Sequence, residues 1–174
     1  MTDLEFLSLL NAVDFPRLYW ELCDRFPVGL GPARPLGWKE AIIAAFQEMG
    51  VNPRYERSER YFVFEEEEIG GFTWHGSLFM QRYDVELIFS GQSQDAHLGT
   101  VLAVLAYDAK RLADPTFKRD RVTGPPPYPR PAYNGDLAAL KGIVREFVSL
   151  VRLVKDAIRR QEGKKGESEQ ARAE

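Results

Sequence analysis

Few side chains of this sequence could do chemistry, and the most reactive belong to two histidines and one cysteine. His75 is predicted to lie opposite Glu66 in a β-hairpin, where the carboxylate could raise the histidine pKa or share a metal ion with it. His97 lies near Asp95 in a polar segment, and neither histidine has another one two or four residues away. We therefore expect a cross-strand polar pair and a solvated loop side chain, with no catalytic site and no metal site.

The single cysteine, Cys23, cannot form a disulfide within the chain. It lies among apolar residues of a predicted helix and has no adjacent basic residue to lower its pKa, so a buried, unreactive thiol is expected. Phosphate loops, nucleophile elbows and paired metal ligands are missing from the sequence. Gly29 and Gly31 form only a fragment of a dinucleotide-binding loop, which Pro32 interrupts, so no cofactor is predicted.

The most unusual cluster is the run of four glutamates at 65–68, because adjacent glutamates in a strand place carboxylates on both faces of a sheet. One interpretation is protection of a sheet edge, where charge discourages pairing with another sheet. The other is a docking surface for a basic protein, with Phe72 and Trp74 as aromatic anchors and with Asp84 and Glu86 extending it. The predicted partner-binding residues are Glu65, Glu66, Glu67, Glu68, Phe72, Trp74, His75, Asp84 and Glu86.

A proline-rich segment at 125–130 offers a second recognition motif. Residues 125–128 fit the proline-proline-any-tyrosine pattern bound by WW domains, and Arg130 completes a stretch that resembles an SH3 ligand. The alternative is a polyproline strap that carries the chain over the surface into the last helix. Nearby lysines and arginines make the region basic, so a phosphate-binding patch is a third interpretation.

The glutamate run and His75 belong to a β-hairpin predicted over residues 61–80. Gly70 and Gly71 lie between its two strands, where both positions of a tight turn can take positive φ without a steric clash. The implied register pairs Ile69 with Phe72, Glu66 with His75, Val63 with Leu78, and Tyr61 with Met80. The base of the hairpin should then be buried on both faces, its acidic end should project into water, and a third strand should follow at 83–89.

Helices are predicted before and after these strands. Three precede them: one capped by Thr2 and Glu5, one beginning at Asp14, and one over residues 38–49. Residues 100–113 fit either a strand or a helix, and their leucine and alanine content favours the helix. The last helix follows Asp136, with apolar residues every three or four positions as far as Ile158.

Composition and charge restrict the class of protein. The chain has 174 residues, a formal charge of −3 and a pI near 5.6, values that give no overall field to attract nucleic acid. The N-terminus is acidic rather than basic, and no apolar run approaches the ~18 residues of a membrane span. We expect a cytoplasmic protein that binds no membrane, with one domain over residues 1–161 and a disordered charged tail over 162–174.

The predicted fold class is α+β, with three N-terminal helices, an antiparallel meander of about three strands, and two C-terminal helices packed on the sheet. The function predicted from the acidic hairpin is non-catalytic binding of a basic partner protein, which the chain would neutralise or escort as immunity proteins, antitoxins and chaperones do. The alternative is a small-molecule-binding protein or small enzyme with a pocket between sheet and helices near His75.

Overall fold

The structure is a computed structural model that describes residues 1–29, 31, 34–117 and 129–173, with side chains described as far as residue 164. Three helices come first in the chain, then five strands, then two helices. The predicted α+β class is confirmed, although the sheet has two strands more than predicted. The proline motif at 125–128 lies outside the described residues.

The first three helices begin as the sequence indicates. Helix α1 spans Asp3–Ala12 and has the predicted capping box, in which the Thr2 amide donates to Glu5 Oε2 at 2.7 Å. Helix α2 spans Phe15–Arg25 with proline in its first turn, where a missing amide hydrogen leaves no hydrogen bond unmade. Helix α3 spans Trp38–Glu48.

All five strands pair antiparallel in chain order, as a simple meander. They are β1 (Arg54–Glu56), β2 (Tyr61–Ile69), β3 (Phe72–Met80), β4 (Val85–Gln92) and β5 (His97–Val101). The sequence missed β1, which has only three residues, and β5, which runs directly into helix α4 (Leu102–Ala113). The predicted helix over residues 100–113 is therefore confirmed from Leu102 onward, and only the last two residues of β5 fall within that range.

A β-bulge in β2 changes the predicted register of the hairpin. The turn at Gly70 and Gly71 forms with φ of 61° and 77°, and Ile69 pairs with Phe72 as predicted. Between Phe64 and Glu67 the register then shifts by one residue. The predictions for the base were wrong: Val63 pairs with Ser77, Phe62 with Leu78, and Tyr61 with Phe79. The reason is that Phe64 and Ile69 both face the core although they are five positions apart, an odd spacing that regular alternation cannot satisfy.

The helices cover one face of the sheet, which we call the covered face. Its aromatic side chains meet rings from three helices: Trp74 lies 5.2 Å from Phe6 in α1, and Phe64 lies 4.7 Å from Phe46 in α3 and 5.0 Å from Phe147 in the last helix. Burying a side chain of this size contributes roughly 2–3 kcal/mol, so this layer is the main source of stability. On the other face of the hairpin base Val63 and Ser77 are also buried, at 7% and 3% exposed, although no described helix packs there.

Helix α5, Leu137–Ala173, contacts strand β2 at Phe64, Glu65 and Glu67. It begins at Asp136, whose Oδ1 accepts from the Ala138 amide at 2.8 Å. It passes the turn closely, since a Cβ added to Gly70 would lie 2.9 Å from the Glu162 side chain. The tail predicted over 162–174 is helical as far as Ala173, because extending an existing helix costs far less than starting one. Within the described residues, no helix is long and apolar enough to cross a membrane.

Candidate functional site

The second face of the sheet, which we call the open face, has no described helix packed on it. The register brings its residues into rows that cross the strands. The two rows nearest the turn are polar and form what we call the polar half: Glu68, Thr73, Gln92 and His97, then His75 and Ser90. Glu66 also belongs to the polar half: it lies in the bulge, where the register does not show the predicted pairing with His75, but it is close enough to act on that ring electrostatically. The two rows nearest the base form the apolar half: Val63, Ser77, Ile88 and Val101, then Tyr61, Phe79 and Glu86.

The apolar half carries a pair of aromatic rings that remain accessible to solvent. Tyr61 and Phe79 stack with their centroids 4.5 Å apart, and both side chains are half-buried. Ile88 and Val101 are also half-buried. Val63 and Ser77, in the same half, are buried. Sheet faces exposed to solvent usually carry polar side chains, so the accessible rings are the feature of the open face that needs an explanation.

Strand alternation divides the glutamate run between the two faces. Glu66 and Glu68 are exposed on the open face, whereas Glu65 and Glu67 turn toward α5. Glu66 is 55% exposed, and its closest basic group is the Arg54 guanidinium at 4.0 Å. Arg54 also contacts Glu56 at 2.6 Å, so its charge is already compensated. Glu66 and Glu68 therefore give the open face a net negative charge at the end near the turn.

Three basic residues of α5 bind the two glutamates on the covered side. Arg152 Nε lies 2.7 Å from a Glu65 carboxylate oxygen, and Arg159 contacts both oxygens of Glu67 at 2.5 and 2.6 Å. Lys155 is only 2% exposed, and it donates to the Glu65 carbonyl at 2.6 Å and contacts Glu67 Oε2 at 2.7 Å. The hydrogen bonds from Arg159 and Lys155 lower the pKa of Glu67 to about 2.

Sequence reasoning missed these three basic residues. Their spacing was a usable signal, since positions 152, 155 and 159 follow one side of a helix next to its apolar stripe. What the sequence did not show was that this side of α5 would face the hairpin.

The bulge also lies on a stretch of sheet edge with which no strand pairs in the described part of the chain. Strand β1 pairs only with Tyr61, Phe62 and Val63, so β2 forms the outer edge of the sheet from Phe64 to the turn. Glu65 has a φ of 53°, which is a strained conformation for a residue with a side chain, and Lys155 holds its carbonyl. Bulges and inward-pointing charges are the means by which proteins blunt such edges. Glu65 and Glu67 fit the edge-protection interpretation, and Glu66 and Glu68 remain available for docking.

A cleft of about 450 Å³ separates the hairpin from α5. Its walls are charged, and they consist of Glu65, Glu66, Glu67, Arg152, Lys155, Asp156 and Arg159. A smaller cleft of about 290 Å³ lies between α1 and α5. Neither of these two clefts is lined by His75, so they give no support to the predicted pocket beside that residue.

The two predicted aromatic anchors are not available to a partner. Trp74 is fully buried on the covered face, stacks on Phe89 at 5.2 Å and donates from its indole nitrogen to the Ile69 carbonyl at 3.2 Å. Phe72 is buried beside it, with 7% of its surface exposed. The expectation that both would be exposed is corrected, because residues paired with Glu67 and Ile69 share their side of the sheet.

His75 is half-buried in the polar half, with Nε2 3.3 Å from Ser90 Oγ. Its pKa is lowered from the ordinary value, mainly because burial penalises the charged ring, with smaller contributions from His97 and Arg54. Glu66 acts in the opposite direction, as the sequence suggested, but its effect is smaller than that of burial. In the described part of the chain, no group of three or more acidic, histidine or cysteine side chains could hold a metal ion.

Asp84 and Glu86 do not extend the acidic end of the hairpin. Glu86 pairs with Phe79, six residues along β3 from the row of Thr73, which is a distance of roughly 20 Å. It forms an ion pair with Arg130 instead. Asp84 precedes β4, and burial raises its pKa. Both residues belong to the base of the sheet because β4 runs antiparallel to β3.

Searches against protein-family models, curated proteins and solved structures found no match to this chain.

Proposed function

We propose that this chain is a non-catalytic protein-binding domain whose open face binds a partner protein with a basic segment. The observation that carries the proposal is the combination of an accessible aromatic pair, Tyr61 and Phe79, with the exposed carboxylates of Glu66 and Glu68 on one sheet face. Neutralising or escorting that partner is the role that the acidic hairpin suggested from the sequence.

The apolar half would supply most of the binding free energy. Tyrosine and phenylalanine provide large contact areas with few rotatable bonds, so ordering them in an interface costs little entropy. With strands of eight or nine residues at its centre, the open face measures roughly 25 Å by 25 Å, or about 600 Å². This approaches the ~800 Å² that each partner contributes to a standard protein–protein interface.

The polar half would select the charge of the partner. Glu66 and Glu68 lie on the same face, where Glu68 pairs with Thr73 and Glu66 acts electrostatically on His75. Exposed carboxylates in such an arrangement accelerate encounter with lysine and arginine side chains and repel acidic surfaces. Charge complementarity therefore favours a basic partner over a second copy of this chain, which has a formal charge of −3.

Site-specific crosslinking in the native host tests this proposal. A photoreactive amino acid replaces Thr73, which is exposed on the open face, and a matched variant carries it at Glu40, which is exposed on α3 in the helix layer. We expect one basic protein to crosslink at position 73 and not at position 40. The crosslink should be lost in the double variant Glu66→Gln, Glu68→Gln.

Three outcomes would contradict the proposal. They are equal crosslinking at both positions, no crosslinked protein at position 73, and a product that consists of two copies of this chain. Crosslinking that persists after both glutamates are neutralised would show that the partner is not selected by charge.

A further inference from the structure

The smaller cleft, between α1 and α5, differs in chemistry from the open face. Its floor is aliphatic, and it consists of Leu9, Ala12 and Val13 from α1 and Ala157 from α5. Its other lining residues are polar or basic and all come from α5: Arg160, Gln161 and Lys164. Among the described residues that line the cleft, none carries a carboxylate. An apolar floor beside positive charge suits an anion with an apolar body.

Helical spacing explains how the cleft forms. Positions 9, 12 and 13 lie on one side of α1, and positions 157, 160, 161 and 164 on one side of α5, because residues three and four apart in a helix are neighbours. Leu9 and Ala157 are buried and form the closed side of the cleft, whereas Arg160 and Lys164 are exposed and form its open side. The methyl groups of Ala12 and Ala157 leave about 290 Å³ between the helices.

Arg160 gives the open side of the cleft a positive charge. This residue is exposed and forms no ion pair with any described residue. The carboxylates nearest in sequence are already compensated. Asp156, four residues before Arg160, contacts Arg159 at 2.5 Å, and Asp14, next to the α1 end of the cleft, contacts Arg17 at 2.5 Å. An anion in the cleft would therefore meet a guanidinium whose charge is not used within the fold.

We infer that this cleft binds a small alkyl carboxylate, with its chain on the aliphatic floor and its carboxylate on Arg160. The volume of about 290 Å³ is at the low end of the ~300–1,000 Å³ typical of ligand sites, so the occupant is small. From Ala157 to Lys164 the lining follows α5 for about 10 Å, and its described residues include no aromatic ring, which favours a short alkyl chain. A guanidinium can donate two parallel hydrogen bonds to a carboxylate. The site is separate from the open face and does not depend on the proposed function.

Titration of the full chain with sodium octanoate, followed by two-dimensional nuclear magnetic resonance, tests this inference. We expect the amide signals of Leu9, Val13 and Ala157 to shift, with a Kd of roughly 1 mM for a ligand of this size. Hexanoate should bind about tenfold more weakly, because it buries fewer methylene groups. Octan-1-ol, which has the same chain length without the charge, should bind about threefold more weakly.

Two matched pairs of variants test the charge and the floor separately. Arg160→Gln should weaken octanoate binding about threefold, whereas Arg111→Gln, at an exposed arginine of α4 outside the cleft, should leave it unchanged. Ala12→Leu should fill the cleft and remove detectable binding, whereas Ser8→Leu, exposed on the same helix and outside the lining, should not. All four positions are exposed, so each variant should keep the fold, which circular dichroism checks.

Several results would overturn the inference. They are unshifted cleft signals in excess octanoate, equal binding of octanoate and octan-1-ol, and shifts centred on Tyr61 and Phe79, which would place the ligand on the open face. Octanoate binding to Arg160→Gln that is as tight as binding to Arg111→Gln would also overturn it. Failure of the crosslinking experiment at position 73 would overturn the proposed function and leave this site unaffected.

Discussion

The two faces of the sheet use the same kinds of residue for different purposes. On the covered face Trp74 is buried against other rings and Glu67 is bound by Arg159 and Lys155. On the open face Phe79 is half-buried and Glu66 faces water. Residue type therefore did not decide which side chains are buried in the core and which remain accessible to solvent. Strand alternation and one bulge decided it.

The largest expected difference between the faces concerns their aromatic residues. Trp74→Ala should lower the free energy of unfolding by about 4 kcal/mol, because it removes a fully buried ring and leaves a cavity. Phe79→Ala, the matched change on the open face, should cost about 1 kcal/mol. Urea denaturation followed by circular dichroism measures both. Equal losses would show that the open face is as much a part of the core as the covered face.

The next largest expected loss of stability concerns Lys155, whose buried ammonium group links α5 to the bulge. Lys155→Met should cost about 2 kcal/mol, because the Glu65 carbonyl loses its donor and Glu67 keeps only its arginine partner. Arg160→Met is the control, since this residue is exposed on the same helix and should change stability by less than about 0.5 kcal/mol. A Lys155→Met variant as stable as the control would mean that the bulge needs no support from α5.

The smallest expected effect is a pH-dependent difference in stability between variants of two neighbouring glutamates, Glu66 and Glu67. Glu67 has a pKa depressed to about 2 from an ordinary 4.5, so it stabilises the folded state above pH 4.5 and loses that contribution as the pH falls toward 2. Because the Glu67 side chain is 37% exposed, solvent screening reduces the contribution to about 1 kcal/mol.

Glu67→Gln should therefore destabilise the protein at pH 7 and have little effect near pH 2.5. Glu66→Gln, on the open face, should have little effect at either pH. Denaturation of both variants across this range measures the difference, and a pH-independent loss in Glu67→Gln would contradict the ion-pair explanation.

Local signals in the sequence were sufficient for most of the fold. The capping box at Thr2, the glycine pair at the turn and the apolar period of α5 each identify an element without knowledge of the rest of the chain. The short strand β1 lacked such a signal, and β5 was hidden because its alternation merges into the helical pattern of α4. Strands of three to five residues depend on the partner strand more than on their own sequence.

The candidate site was less predictable, because it depends on which face each residue occupies. The glutamate run was correctly placed at the end of the hairpin, but the assignment of Trp74 to a binding surface was wrong because helix packing determines which face is covered. The bulge could have been inferred from the odd spacing between Phe64 and Ile69, if both had been assigned to the core. The positions of Arg152 and Lys155 opposite the hairpin follow only from the tertiary structure.

That odd spacing has a consequence for length variation in the chain. If three residues separated Phe64 from Ile69, regular alternation would turn both side chains toward the core. Four residues separate them, and the extra residue forces the bulge. Substitutions within the run, including the destabilising Glu67→Gln, should therefore keep the bulge, since the number of residues rather than their identity sets the register shift. A deletion of one glutamate would keep every core residue in place and straighten the strand. The length of this acidic run, more than its charge, then determines the geometry of the edge.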